Sequence, residues 1–115
     1  MDNSNIKIKI YEEIKKLGFC VNHIGTRYII EAIEIIYNSD DSNSLIRSIE
    51  KNVYSKIAKK YNKNPLTIKS NITKATNYVD DMNMIKNRNI KGNNYLQEKL
   101  TAKAIINTIL LKLGA

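Results

Sequence analysis

The fold of this 115-residue chain is decided by the stretch Ile57-Ala58-Lys59-Lys60-Tyr61-Asn62 and, after two intervening residues, Pro65-Leu66-Thr67-Ile68. Apolar residues recur at helical spacing on both sides of it. Asn64 followed by Pro65 is a favoured helix start, because Asn accepts from free amides and Pro lacks an amide of its own. Ala58 is small enough for two helices to cross closely, and Ile57, Tyr61 and Ile68 are expected at the buried positions around it. Asn62 tolerates a left-handed backbone. The short connection therefore predicts a helix-turn-helix over about 53–79, with the second helix ending near Tyr78 or Val79.

The segments outside this motif also have helical patterns. Apolar and polar residues alternate over Ile6–Ile10 as in a strand. The length of the whole segment, which runs to a stop at Gly18, favours a first helix instead. A second helix is predicted over about 26–38, and then a turn in which Ser42 or Asn43 caps a short helix. A polar stretch follows Asp80-Asp81, and Thr101 is expected to cap a last helix. We expect one all-α domain over residues 1–115, with about six helices and a central helix-turn-helix.

The last predicted helix is apolar over much of its surface. Its apolar residues are Ile105, Ile106, Ile109, Leu110, Leu111 and Leu113. This pattern favours a helix that closes the core, and a dimer face remains open as the alternative.

Positive charge is concentrated in one part of the chain. The net charge is +8, and residues 51–79 hold seven lysines and no acidic residue, whereas residues 1–50 sum to −2. The excess of Ile, Lys and Asn is typical of AT-rich coding, but that bias would not remove Asp and Glu from one window. A polyanionic partner is the expected reason, with a merely solvated basic face as the alternative. Lys86, Arg88 and Lys91 form a second predicted basic patch.

The composition excludes several classes of protein. Cys20 and His23 are the only cysteine and histidine, too few for a disulfide framework or a closed zinc site. The four glycines stand apart, so there is no Gly-rich phosphate loop. No apolar run approaches the length of a membrane span, and the N-terminus is not followed by a secretion signal. We expect a cytoplasmic protein that is not an enzyme and needs no metal or cofactor.

The second helix of the motif would lie in the major groove of duplex DNA, which is wide enough to admit it. The residues at its outward positions are predicted to read bases: Lys69, Ser70, Thr73, Lys74 and Asn77. Leu66 lies on the same face. The lysines of the first helix and the turn would hold phosphates without reading sequence: Lys56, Lys59, Lys60 and Lys63. Asn64 and the free amides at the start of the second helix would hold phosphates with them.

Several short motifs, strongest over about 17–79, resemble the DNA-binding effector domain of stage 0 sporulation protein A. They are Leu17-Gly18, Gly25-x-x-Tyr28-Ile29-x-x-Ala32-Ile33, Ile36-Tyr37-Asn38, Val53-Tyr54-x-x-Ile57-Ala58-Lys59-Lys60-Tyr61-Asn62, then Ile68, Ile72 and Ala75, and more weakly Lys99-x-Thr101. The resemblance implies an all-α, six-helix domain of a sporulation regulator that binds duplex DNA through a helix-turn-helix.

The sequence departs from that family at the reading positions. Where the family carries an acidic residue, two arginines and a histidine, this chain has Lys69, Ser70, Thr73 and Lys74, so we expect a different DNA target. The family also has a receiver domain for which this chain has no room, so we expect either an excised fragment or a stand-alone paralogue. The changed reading residues favour the paralogue.

A sequence-specific transcription regulator is the function we expect. The alternatives are a plasmid or phage factor for replication, partition or transfer, and a helical protein-interaction module that has lost DNA binding. Duplex DNA is the expected partner, with RNA polymerase and a second copy of the chain on DNA as further candidates.

Overall fold

A computed structural model describes the backbone of residues 3–88 and 101–114, and the side chains of residues 5–82 and 101–114. Within these ranges the chain is all α-helical and contains no strand. The helices are α1 (Asn3–Lys16), α2 (Ile24–Tyr37), α3 (Ser42–Arg47), α4 (Ser55–Tyr61), α5 (Pro65–Arg88) and α6 (Ala102–Lys112), and a π-helical turn (Glu50–Tyr54) leads directly into α4. The predicted fold class is confirmed.

The first helix settles the ambiguity between strand and helix. Ile6, Ile10 and Ile14 share one buried face of α1, each at most 3% exposed. The helix ends at Lys16, and Gly18 follows in the turn with a φ of +98°, which is favourable for glycine and costly for other residues. The Phe19 amide then donates to the Ile14 carbonyl oxygen and helps to close the helix end.

α2 is the central helix and packs against α1, α3, α4, α5 and α6. Tyr28, Ile29, Ile33 and Ile36 are buried on it. It begins two residues earlier than predicted, because the His23 Nδ1 accepts a hydrogen bond of 3.0 Å from the Gly25 amide. The half-buried His23 ring is therefore the N-cap of α2.

The ends of three other helices test the predicted caps. Thr101 caps α6 as predicted, because its hydroxyl accepts from the Ala104 amide at 3.2 Å. The cap of α3 is Asp41, and neither Ser42 nor Asn43 takes this role. The prediction that α5 ends near residue 79 is also wrong, since the helix continues to Arg88. Asp80 is 7% exposed inside α5, so its packing outweighs the low helix propensity of aspartate.

α6 closes the core against α1, α2 and α5. Ile105, Ile106, Ile109 and Leu110 are buried, as expected for core closure, whereas Leu111 is 74% exposed. The carboxylate of Glu13 on α1 contacts Lys112 at 3.1 Å and Lys16 at 3.2 Å. Hydrogen bonds from these two ammonium groups lower the pKa of Glu13. The end of α6 is thus tied to α1.

Candidate nucleic-acid interface

The turn between α4 and α5 has the geometry that its sequence predicts. Asn62 follows α4 with φ 54° and ψ 49°, a left-handed conformation that Asn adopts more readily than most residues. The Lys63 amide donates to the Ala58 carbonyl oxygen at 2.8 Å, and the Asn62 amide donates to that of Lys59 at 3.3 Å. These two bonds form a Schellman motif, which ends α4 sharply and directs the chain toward α5.

α5 begins at Pro65, as predicted, behind an Asn64 cap. The Asn64 Oδ1 accepts from the Leu66 amide at 2.9 Å. The Asn64 carbonyl oxygen accepts from the amides of Thr67 and Ile68. The expectation that the first-turn amides are free to clamp a phosphate is therefore wrong, because the chain's own cap uses all three.

Buried side chains hold α4 and α5 together. Ile57 and Ile68 are fully buried and Ala58 is 2% exposed, as predicted for the crossing point. Tyr61 was predicted to be buried with them, but it is 39% exposed. Its ring lies 5.5 Å from that of Tyr28, at the edge of the core.

The position of α5 depends on a close approach to α2, with which it shares the most extensive interface of the described helices. A Cβ added to Gly25 of α2 would overlap the backbone carbonyl of Asn71 and press against the Cβ of Ala75. Only glycine lets the two backbones approach this closely. Gly25 is thus a positioning residue for the helix that is predicted to read DNA.

The other face of α5 is open to solvent. Leu66 is 70% exposed. Four of the five predicted base-reading residues are exposed in the same row: Lys69, Ser70, Thr73 and Lys74. The fifth, Asn77, is half-buried. The Thr73 hydroxyl donates to the Lys69 carbonyl oxygen at 2.9 Å, so its methyl group and the oxygen lone pairs are what it can offer to a partner.

An ion pair between Lys69 and Glu50 crosses the candidate interface. The Lys69 Nζ lies 2.7 Å from the Glu50 Oε1, and both side chains are about half exposed. Glu50 belongs to the π-helical turn, in which its carbonyl oxygen accepts from the Ser55 hydroxyl. Sequence reasoning missed Glu50, whose only signal was that it is the last acidic residue before the acid-free window.

A second carboxylate holds the end of α4. The Lys60 ammonium donates to both Glu31 oxygens, at 2.8 and 3.1 Å, and the Tyr61 hydroxyl donates to the Glu31 Oε1 at 2.7 Å. These hydrogen bonds to Glu31 are the main cause of the raised pKa of both Lys60 and Tyr61. Lys60 is therefore a member of a local network as well as a predicted phosphate-binding residue.

Five of the seven lysines in the basic window have no ion-pair partner among the described residues: Lys51, Lys56, Lys59, Lys63 and Lys74. All five are exposed. Three of them are predicted phosphate-binding residues of α4 and the turn. The predicted second basic patch of Lys86, Arg88 and Lys91 lies outside the described side chains.

The described residues also bear on other classes of site. They contain no group of three or more His, Cys, Asp or Glu side chains that could hold a metal ion, and Cys20 is exposed as a free thiol. Among them no helix is long and apolar enough to cross a membrane.

Comparison with known families gives one match. Residues 10–113 match the family model described as "Sporulation initiation factor Spo0A C terminal". The match begins within α1, includes the helix-turn-helix and extends past the end of α6. Comparisons with curated proteins and with solved structures gave no significant match.

Proposed function

The chain belongs to the sporulation initiation factor Spo0A C-terminal family, whose members are DNA-binding regulatory domains, and on that premise we propose that it reads a specific duplex sequence with α5. α5 would lie in the major groove from Pro65 onward. The role is regulation of transcription rather than catalysis, which places the protein on DNA in the cytoplasm.

The observation that carries this proposal is the contrast between the anchoring and the exposure of α5. Its start is capped by Asn64 and its inner face is packed on α2 at Gly25, while the row from Leu66 to Thr73 is open. A helix held in this way can present side chains to base edges without being ordered on binding, which saves conformational entropy.

Each exposed residue of the row has a role that its chemistry supports. Lys69 can donate to O6 and N7 of a guanine, whereas Ser70 can bond to several bases. The Thr73 methyl group suits the methyl group of thymine. Lys74 and the half-buried Asn77 lie farther along the helix and can reach bases or phosphates.

The lysines of α4 and the turn would position the domain on the duplex. Lys56, Lys59 and Lys63 are exposed and unpaired within the described residues, so their ammonium groups can replace counterions at phosphates. Lys60 would have to share its protons between a phosphate and Glu31. Asn64 keeps its side-chain NH2 group as a neutral donor.

Glu50 gives Lys69 a partner in the absence of DNA. A guanine would have to replace the carboxylate at the Lys69 ammonium, whereas a base without acceptors there would leave the Glu50 pair intact and gain nothing. The carboxylate also repels phosphates. Glu50 would thus lower the affinity for all duplexes and increase the difference in affinity between the matching duplex and the others.

Fluorescence anisotropy with random duplex DNA over a salt series tests the proposal. If about five lysines touch phosphates, the slope of log K against log salt should be about −4 to −5. The double variant Lys59→Gln/Lys63→Gln should make the slope shallower by about 2. The matched control Lys9→Gln/Lys15→Gln removes two charges from α1 and should leave the slope almost unchanged. No binding at 50 mM salt would refute DNA binding by this domain.

Two further partners belong to the same proposal. A second copy of the chain can bind beside the first on DNA, and the exposed Leu111 on α6 supports an apolar contact between copies. Selection from a random duplex library would then return paired half-sites about one helical turn apart. RNA polymerase is the partner that a transcription regulator requires, and co-purification on a promoter duplex tests that contact.

A further inference from the structure

A surface cavity of about 300 Å³ lies where α1, α2 and the end of α4 meet. The residues around it include charged, aromatic and apolar side chains, and the ones that matter here are Lys7, Tyr11, Arg27, Ile30, Glu31 and Tyr61. We propose that this cavity binds a small aromatic anion, a planar ring system with one carboxylate, and that the bound ligand acts on the helix-turn-helix through Tyr61. None of the described side chains of α5 lines the cavity, so the site is distinct from the candidate DNA-reading face.

The charges around the cavity favour an anion. Lys7 and Arg27 are exposed, and neither has an ion-pair or hydrogen-bond partner among the described side chains. Glu31, the one carboxylate among the described lining residues, is already paired with the Lys60 ammonium and accepts from the Tyr61 hydroxyl. The two remaining cations can therefore bind a carboxylate, and the planar guanidinium of Arg27 can do so through two parallel hydrogen bonds.

The shape and polarity of the walls favour a flat ring behind that carboxylate. Tyr11 and Tyr61 are 41% and 39% exposed, so part of each ring is available as an apolar surface. Ile30 is 7% exposed and adds a buried apolar surface to the lining. The volume is at the lower end for a ligand pocket, which fits one or two fused rings and excludes a dinucleotide.

Tyr61 connects the cavity to the candidate interface. It is the last residue of α4 and precedes the left-handed Asn62, and its ring lies against that of Tyr28. Its hydroxyl shares Glu31 with Lys60, a predicted phosphate-binding residue. A ligand that contacts the Tyr61 ring and Arg27 would act on this network and change how α4 meets the duplex. This effector role rests on the proposed DNA binding, whereas binding of the ligand does not.

The site is tested by titrating the whole chain with 2-naphthoate. Amide chemical shifts in nuclear magnetic resonance spectra measure the binding. We expect a Kd of about 1 mM, since a ligand of this size seldom binds more tightly without further contacts. The neutral isostere 2-naphthamide should bind about tenfold more weakly, because it cannot form the charge-assisted bonds. Arg27→Gln should cause a similar loss. Lys9→Gln removes the same charge from α1 outside the cavity and should leave the Kd unchanged.

Three results would overturn the site: equal binding of naphthoate and naphthamide, an unchanged Kd in Arg27→Gln, or equal shifts of the same amides with inorganic phosphate. The last would indicate a contact for any anion, without recognition of a ring.

The effector role is then measured by anisotropy with duplex DNA at saturating naphthoate. We expect the DNA Kd to change by at least about fivefold in the unmodified chain and to stay constant in Arg27→Gln. A constant Kd in the unmodified chain would refute the effector role and leave the ligand site standing. A chain that binds naphthoate and no DNA would refute the proposed function, and the effector role with it, and leave the ligand site standing.

Discussion

The inward and outward faces of α5 can be compared residue by residue, because they alternate along one helix. Inward residues are at most 3% exposed and contribute to the core shared with α2: Ile68, Ile72, Ala75 and Val79. Outward residues are exposed and, apart from Leu66, polar: Lys69, Ser70, Thr73 and Lys74. The difference indicates that one helix serves both as a core element and as a presented surface. Stability and DNA recognition should therefore respond to different residues of α5.

The sharpest test of this separation replaces two large residues that are two positions apart. Ile68→Ala removes a fully buried side chain and should lower the free energy of unfolding by about 3.5 kcal/mol. Leu66→Ala removes a side chain that is 70% exposed and should cost less than about 0.5 kcal/mol. Urea denaturation followed by circular dichroism measures both. Equal losses would mean that the two faces of α5 are not distinct.

The contact of the inward face with α2 predicts the next largest effect. Gly25→Ala places a Cβ against the Asn71 backbone, so α2 and α5 must separate, at a cost of about 3 kcal/mol. Gly18→Ala is the matched control, because the space around it is open and only its positive φ is penalised, by about 1 kcal/mol. Thermal denaturation of both variants measures the difference. A Gly25→Ala protein as stable as the control would contradict the close packing.

On the outward face we expect changes in selectivity with little change in stability. Lys69→Ala should remove about 1–3 kcal/mol of discrimination at one base pair, because the exposed ammonium makes the proposed base contact. Competition anisotropy with single-base variants of a selected site measures it. Equal weakening for all duplexes would assign Lys69 to phosphates.

Glu50→Gln tests the partner of that lysine. It removes a carboxylate at 2.7 Å from the Lys69 ammonium and should raise the affinity for every duplex while reducing discrimination between them. Asp81→Asn is the control, since it removes an exposed acidic charge farther along α5. The same gain in both variants would mean that only net charge matters.

The smallest effect comes from two threonines of α5 that differ in burial, Thr73 being exposed and Thr76 only 3% exposed. Thr73 and Thr76 each donate to the carbonyl oxygen four residues earlier, at 2.9 Å. Thr73→Val should shift base preference by about 1 kcal/mol and leave stability unchanged, because the residue is exposed. Thr76→Val should leave base preference unchanged and alter stability by less than about 1 kcal/mol, because it replaces a buried hydroxyl by a methyl group. A change of selectivity in Thr76→Val would remove the distinction between the faces.

Local sequence signals predicted the parts of the fold that depend on neighbouring residues. Asn62 in the left-handed conformation, the helix start at Pro65 and the Thr101 cap follow from the chemistry of one or two side chains. The end of α5 was not predictable in this way, since the burial of Asp80 depends on tertiary packing.

The candidate site was predicted in part for the same reason. The exposed row on α5 follows from helical periodicity, and the unpaired lysines follow from the charge pattern. The pairs Lys69–Glu50 and Lys60–Glu31 join residues 19 and 29 positions apart, which no local pattern reveals. The hydrogen bond of the Tyr61 hydroxyl to Glu31 is another long-range contact of this kind.

The π-helical turn Glu50–Tyr54 contains one residue more than an α-helical turn of the same kind would hold. Successive residues of an α-helix are rotated by about 100° around the axis. Deleting one residue here would leave α4 and α5 unaltered but swing Glu50 away from Lys69, and another side chain would take its place. The turn therefore acts as a spacer that sets helical register. Through it, this fold can exchange the ion-pair partner of Lys69 by a change in chain length instead of a substitution.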